Sequence, residues 1–169
     1  GADYMLSDDV LIGALVQYDQ IDLDGRHDGV GAADGDGFMV GPYITARLSD
    51  NFYADARFAI GTSENTISPL GTYTDEFDTD RQLFAGSLIG DFPLDETSVF
   101  RPAITVRHIS ERQNQYRDSL GVVIPEQSID QGEISFAPRY QTQMLLSDDI
   151  TIRPYAEAEG IYAYGDEIG

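Results

Sequence analysis

The chain has 169 residues, which is enough for one domain of ordinary size. Its 30 acidic residues outnumber its 10 basic residues and give a net charge of -20. Nucleic acid is therefore not an expected partner, because binding it requires basic patches. Cysteine is absent, which excludes a disulfide framework and a thiolate metal site. No run of about 18 apolar residues exists, so a transmembrane helix is also excluded.

All ten basic residues are arginine. Arginine suits partly buried ion pairs, since its planar guanidinium matches a carboxylate. A GC-rich genome or a salt-rich habitat is an equally good explanation. The chain begins at a glycine and stops within a regular pattern at Tyr164–Gly169. We therefore expect residues 1–169 to be one domain that is incomplete at both ends.

The first part of the chain predicts two strands. Gly1–Met5 looks like the end of a strand, and the turn Leu6–Asp9 follows it. Val10–Asp19 is the first complete strand, with apolar residues at alternate positions. From Gln20 to Gly37 no apolar period remains, and glycine with aspartate is typical of turns, so we predict a long loop.

The next two strands carry the clearest alternation. Phe38–Leu48 and Phe52–Gly61 flank a tight turn of three residues, and a second long loop is predicted for Thr62–Glu76. In the first of these strands one face is apolar and the other is polar or small, as period-two side chains require. The apolar face comprises Phe38, Val40, Pro42, Ile44, Ala46 and Leu48.

The second half repeats this plan. Phe77–Asp91 is followed by a short turn at residues 92–97, and Ser98–Ile109 is followed by a third long loop, Ser110–Gln127. The last two strands are predicted at Ile129–Leu146 and at residues 150–164, with a turn at residues 147–149. In Phe77–Asp91 the alternation is weaker, and we place Thr79, Arg81 and Ser87 inward and Phe84 and Leu88 outward.

Two features of this plan predict the fold class. Turns of about three to six residues alternate with loops of about 15 to 18 residues, as in outer-membrane barrels, which have short periplasmic turns and longer external loops. The strands are about 10 to 15 residues long, whereas strands of soluble sandwiches have about five or six. The sequence therefore predicts an all-β, antiparallel up-and-down transmembrane β-barrel with about seven complete strands in this chain.

Several segments resemble the β-domain of autotransporters, the type V secretion proteins. They are, in chain order, GADYMLSDDVLIGALVQYDQ, DGDGFMVGPYITARLSDNFYADARFAIGTSEN, FDTDRQLFAGSLIGDFPL, FRPAITVRHISERQNQYRDS and EISFAPRY. The resemblance implies a barrel of about twelve strands in the outer membrane of a Gram-negative bacterium. It also implies a helix threaded through the pore, export of an N-terminal passenger, and insertion by the outer-membrane assembly machinery.

The resemblance implies a role for the polar face of the strands, namely to line the pore. Opposite charges on neighbouring strands would then form ion pairs and would contact the pore helix or ordered water. The other explanation is the solvated face of a soluble sheet. The predicted pore-lining residues are Arg47, Asp55, Arg57, Arg81, Arg101, Arg107, Glu133, Arg139, Arg153, Glu157 and Glu159.

Outward aromatic residues lie near the ends of the predicted strands. Barrels place aromatic residues at both membrane interfaces, whereas in a soluble sandwich the same residues would be ordinary core. Small residues are common on the same face, which lipid tolerates. The aromatic set comprises Tyr18, Phe38, Phe52, Phe100, Phe136 and Tyr162.

The first long loop has the composition of a metal-binding loop without its pattern. From Asp22 the third ligand position is Arg26, and no glutamate closes a twelve-residue EF-hand loop. Weak divalent-ion binding and a solvated acidic loop both fit this composition, and such loops could share divalent ions with lipopolysaccharide phosphates. We predict no metal site and no cofactor here. The acidic residues concerned are Asp22, Asp24, Asp28, Asp34 and Asp36.

The sequence gives little support for catalysis. His27 lies in the first loop and His108 at the end of a strand, and Ser87 lacks the GxSxG spacing of a nucleophile elbow. We therefore expect a translocator and membrane anchor for a passenger and not an enzyme. The alternatives are a porin-like or adhesin barrel of the outer membrane and a soluble extracellular β-sandwich that binds a ligand.

Overall fold

The computed structural model describes residues 1–23, 31–68, 73–147 and 150–166. Within these ranges every regular element is a β-strand, and no helix is long and apolar enough to cross a membrane. The strands are β1 Ala2–Ser7, β2 Val10–Leu23, β3 Ala32–Arg47, β4 Phe52–Ser68, β5 Asp75–Gly90, β6 Phe92–Pro93, β7 Ser98–Gln113, β8 Tyr116–Arg117, β9 Val123–Ile124, β10 Gln127–Thr142, β11 Met144–Ser147, β12 Ile150–Ile152, β13 Tyr155–Glu157 and β14 Gly160–Gly165.

One antiparallel sheet dominates the structure, in the order β1-β2-β3-β4-β5-β7-β10-β13. Strand β14 also pairs with β10, in the same register as β13, and β6 pairs with β7. Each long strand pairs with the next long strand of the chain, which is the up-and-down connection predicted from the sequence. Two short hairpins, β8–β9 and β11–β12, complete the described structure, so the two packed sheets of a sandwich do not form here.

The three predicted long loops are shorter than the sequence suggested. The ends of β2 and β3 extend the ladder through Gln20–Leu23 and residues 32–37, and β4 continues to Ser68. Likewise β5 begins at Asp75 and β7 continues to Gln113, so the loop assignments were wrong at these positions. Apolar alternation stops there because both faces of the strands are polar, whereas backbone pairing needs no apolar side chain.

The two faces of the sheet differ in exposure. On one face Met39 is 3% exposed, Ala59 1% and Leu83 9%, and Leu15 and Ile109 pack against them. On the other face large apolar side chains such as Phe58 and Ile60 remain about half exposed. We call the first the inner face and the second the outer face.

Proline sits on the outer face within three long strands, and its effect differs between sites. Pro102 and Pro138 lie directly opposite each other in the ladder of β7 and β10. At Pro42 the pairing of β3 with β4 is interrupted and resumes at Tyr43 in unchanged register. Proline has no N–H to donate, which explains a gap in the ladder at this position.

Candidate functional site

Nine of the eleven predicted pore-lining residues lie on strands, and the strand register places all nine on the inner face. The row through Arg57 continues across the sheet to Ala85, Arg107 and Glu133. Arg153 and Glu159 lie between strands instead, and the Arg153 guanidinium donates to the side-chain oxygen of Gln143 at 3.3 Å. The nine are Arg47, Asp55, Arg57, Arg81, Arg101, Arg107, Glu133, Arg139 and Glu157.

A well-enclosed charged group on the inner face is Arg81 of β5, whose side chain is 15% exposed. Its Nη1 donates to Oδ2 of Asp19 at 2.6 Å, and its Nε lies 3.3 Å from Oε2 of Glu111. Asp19 belongs to β2, so this contact crosses β3 and β4, where Gly37 and Ser63 leave room. We call this group the Arg81 triad, and it ties three strands together across the inner face.

Two members of the Arg81 triad were missing from the sequence prediction. Asp19 ends the first complete predicted strand but was not included among the lining residues, and Glu111 was placed in a loop. Glu111 lies two residues beyond Ile109 and therefore on the same face of β7. The sequence prediction missed it because it ended this strand at Ile109.

A second ion pair on the inner face joins adjacent strands. Arg107 of β7 and Glu133 of β10 are direct partners in the ladder, and Nη1 of the arginine donates to Oε1 of the glutamate at 2.5 Å. Both side chains remain partly exposed. Such a pair leaves the face polar and hydrated at little cost to either charge.

Near the short turns two arginines face each other across β7 and β10, and each has another partner. Arg101 contacts both carboxylate oxygens of Asp91, at 3.2 and 3.3 Å. The guanidinium carbon of Arg139 lies 4.1 Å from the centre of the Tyr155 ring, a cation–π contact. The like charges are thereby compensated by groups on neighbouring segments.

The outer face carries an apolar band that extends across the long strands. Nine residues form it in each of β2, β3 and β4, namely residues 10–18, 38–46 and 52–60. Nine to eleven residues are about what a tilted strand needs to cross a bilayer. On the outer face, the last apolar residues before the polar loop-side ends of the long strands are Tyr18, Phe38, Ile60, Phe84, Val106 and Ile134.

The loop-side boundary of this apolar band runs obliquely to the rows of paired residues. There are five pairs of neighbouring long strands from β2 to β10. In three of them the boundary residue of the second strand is displaced by two residues from the partner of the first, which gives six residues in total. With about 3.3 Å per residue and about 4.8 Å between strands, this shift is a tilt of about 40°. Barrel strands tilt by about 35–45° in membranes.

Beyond the apolar band the outer face becomes acidic. Asp36, Glu64 and Asp78 are direct neighbours on β3, β4 and β5, and Asp80 lies one step closer to the band. Of the acidic residues considered as weak metal ligands, Asp22, Asp34 and Asp36 lie on strands. Asp24, Asp28 and His27 fall outside the described residues. In the described ranges no group of three metal-ligating side chains is positioned to hold an ion.

An antiparallel wall with tilted strands, an apolar outer band and a charged inner face defines the chain as part of a transmembrane β-barrel. The autotransporter β-domain family matches residues 1–168, so the chain belongs to that family. This is a family of outer-membrane translocator barrels of Gram-negative bacteria, in which the barrel accompanies a passenger domain. The outer membrane is accordingly the location of this chain.

The structure resembles the crystal structure of the β-domain of the Bordetella autotransporter BrkA, with a TM-score of 0.69 and 19% sequence identity. The match covers 91% of this chain and 64% of that chain. At this identity the likeness supports the fold. Comparison with curated protein sequences gave no match.

Proposed function

We propose that this chain forms most of the wall of an outer-membrane translocator, which anchors an N-terminal passenger and carries it to the cell surface. The observation that carries the proposal is the two-faced wall, an apolar band outside and ion pairs inside, in a member of the autotransporter β-domain family. Further strands beyond residues 1–169 would close the barrel. Coverage of 64% of the BrkA β-domain chain supports this view.

The inner face suits a conduit because several of its charges are paired within the wall. The Arg81 triad and the Arg107–Glu133 pair satisfy opposite charges on β2, β5, β7 and β10. An extended polypeptide in transit would meet hydrated, paired groups without a strong field of either sign. The predicted pore-lining residues would contact a pore helix after export, and the outer-membrane assembly machinery would close the wall around the passenger hairpin.

No chemical step is part of this mechanism. Energy for export would come from folding of the barrel and the passenger, so the wall needs no cofactor and no nucleophile. The proposal therefore describes an anchor and conduit and not an enzyme. Lipid contacts the apolar band, and the acidic strand ends extend beyond it into water.

Surface display tests this proposal. The chain, extended to its natural ends, is expressed in a Gram-negative host with an epitope-tagged reporter fused upstream, and added protease is used to detect the reporter on intact cells. We expect a barrel-dependent, protease-accessible reporter. A reporter that stays in the periplasm beside a correctly folded barrel would contradict export and leave the barrel fold intact.

A further inference from the structure

The wall bends sharply between β3 and β4. A side chain at Gly41 would collide with the backbone of β4 at Phe58, and a side chain at Gly61 would collide with the backbone of β3 at Phe38. Only glycine permits two backbones to approach so closely on the inner face. We call the bend centred on Gly41 and Gly61 the crease.

The crease brings β2 and β5 together on the inner face. In a flat sheet these strands are three strand spacings apart, which is about 14 Å. Instead, Nη1 of Arg81 lies 2.6 Å from Oδ2 of Asp19. Leu15 of β2 packs against the apolar cluster that contains Ala59 and Leu83 of β5. The two strands are therefore joined across the crease by an ion pair and by apolar packing.

Little space remains on the inner side of the crease. The cavity beside Asp19 and Arg81 has a volume of about 70 Å³, and it is also lined by Ser63, Asn65 and Glu111. A cavity of this size admits a few water molecules, whereas an extended polypeptide needs far more room. The space between β2 and β5 is therefore closed to a chain in transit.

The contacts across the crease are few and incompletely satisfied. Oδ1 of Asp19 is buried and accepts no hydrogen bond from the described residues. An unpaired buried acceptor costs free energy, and it would regain water if β2 and β5 separated. Glu111 and Arg81 lie on the same side of the crease, so their contact can persist when Asp19 leaves.

We propose that the crease is a gate in the lumen, an inference that rests on the proposed translocator. While Asp19 binds Arg81, the half of the lumen nearer the long loops is narrow. When this contact breaks, β2 moves away from β5 and the lumen widens. The Arg81 triad thus sets the width of the path, and Asp19 is the member that crosses the crease.

Cross-linking tests the distance across the crease, because the chain has no cysteine of its own. The barrel with its natural ends carries Leu15→Cys and Leu83→Cys, and it is treated with a bismethanethiosulfonate much shorter than the ~14 Å of a flat sheet. The control pair Ser87→Cys and Ile161→Cys is also three strands apart but lies outside the crease. We expect severalfold faster cross-linking of the first pair, and equal rates would overturn the proposal.

Single-channel conductance in planar bilayers tests the gate itself. Asp19→Asn weakens the ion pair, and Gly61→Ala places a methyl group against the backbone of β3. Both variants should raise the conductance severalfold. The matched controls should not change it. Asp50→Asn removes the exposed partner of Arg47, and the methyl group of Gly160→Ala meets no described atom within 4 Å.

The cross-link should reverse the opening. In the Asp19→Asn variant, joining the thiols introduced at positions 15 and 83 should return the conductance to the wild-type value, and reductive cleavage of the linker should raise it again. Each variant is measured only if its gel mobility still depends on heating, so either one can decide the question. A wild-type conductance in the folded variants, or a conductance insensitive to the cross-link, would overturn the gate.

Three outcomes separate the gate from the proposed function. A heat-modifiable barrel that conducts ions but fails these tests would end the gate and leave the translocator intact. If the wild type neither shifts on heating nor conducts, the barrel is absent and both proposals fail. If the gate responds as expected while a fused reporter never reaches the cell surface, export fails and the gate stands.

Discussion

At the scale of single residues, burial decides which charges matter. The Asp19 carboxylate is 27% exposed and holds Arg81, whereas Asp50 is 94% exposed and pairs with Arg47 at 2.9 Å. An ion pair in bulk water gains little, because solvent screens it and ordering two side chains costs entropy. Enclosure removes much of that screening, so loss of one partner leaves a poorly solvated charge.

The substitutions Asp19→Asn and Asp50→Asn test this difference. We expect Asp19→Asn to lower the free energy of unfolding by about 1–3 kcal/mol, as for a hydrogen bond to a partly buried charge. The matched change Asp50→Asn should cost about 0–1 kcal/mol. Urea unfolding in vesicles measures both values, and equal losses would show that the Arg81 triad contributes no more than a surface pair.

The turn between β6 and β7 contains a carboxylate whose ionisation supports the fold. Backbone N–H groups of Thr97 and Ser98 both donate to Oδ1 of Asp95 at 2.8 Å, and these bonds lower the pKa of Asp95 below its ordinary value. A folded-state pKa below the unfolded one gives stability that is present above the unfolded pKa and is lost as pH falls through the folded pKa.

The variant Asp95→Asn keeps a neutral acceptor and removes the charge. The wild type should be the more stable of the two at neutral pH, and the gap should close on acidification through the pKa of Asp95. Unfolding midpoints measured from pH 7 down to pH 2.5 check this expectation. A gap that does not change with pH would contradict it.

At the scale of strands, the outer ends of β3, β4 and β5 hold like charges in direct opposition. Glu64 lies between Asp36 and Asp78 in the ladder. Directly opposed like charges destabilise a strand pair, so backbone pairing and the neighbouring strand segments must hold these ends together.

Neutralising the central member of this row should therefore stabilise the sheet. We expect Glu64→Gln to raise the free energy of unfolding by about 0.2–1 kcal/mol at low ionic strength, with the gain shrinking in high salt as the repulsion is screened. Glu126→Gln, outside the ladder between β9 and β10, serves as the control. A salt-independent effect, or destabilisation, would contradict the expectation.

The same strands show what the sequence could and could not predict. Within the apolar band, alternation alone placed the strand segments Phe38 to Ala46 and Phe52 to Ile60 correctly. An apolar environment on one face, whether lipid or protein core, requires an apolar side chain at every second position. Beyond the band both faces contact water, so the pattern disappears while the ladder continues to Leu23 and Ser68. Asp19 could not be matched with Arg81, since their contact depends on how strongly the sheet curves across two intervening strands.

At the scale of the whole molecule, the tilt of the strands explains the position of the apolar band. The loop-side boundary of the band lies at one height in the membrane only when the strands tilt by about 40°, as the shifts of this boundary across the ladder require. A sheet in a soluble protein does not need an apolar boundary at one height. The inner face, with its ion pairs, then lines the path that the proposed passenger takes.

The depth of a charge in the apolar band should set its cost. Ala56 lies at the centre of the band segment of β4, and Thr62 lies one step beyond its boundary on the same face. We expect Ala56→Arg to cost about 2–4 kcal/mol and Thr62→Arg about 0–1 kcal/mol, the values for midplane and interface positions. Urea titration of the reconstituted barrel measures both, and equal costs would contradict a lipid-facing band.

The central claim is that this wall closes into a membrane barrel, and gel mobility tests it most directly. The protein with its natural ends is purified in detergent, and a cold sample is compared with a boiled one in SDS. Closed membrane barrels resist cold SDS, so we predict that the band shifts only after boiling. A band that does not shift, together with a folded monomer in detergent-free buffer, would contradict the membrane barrel.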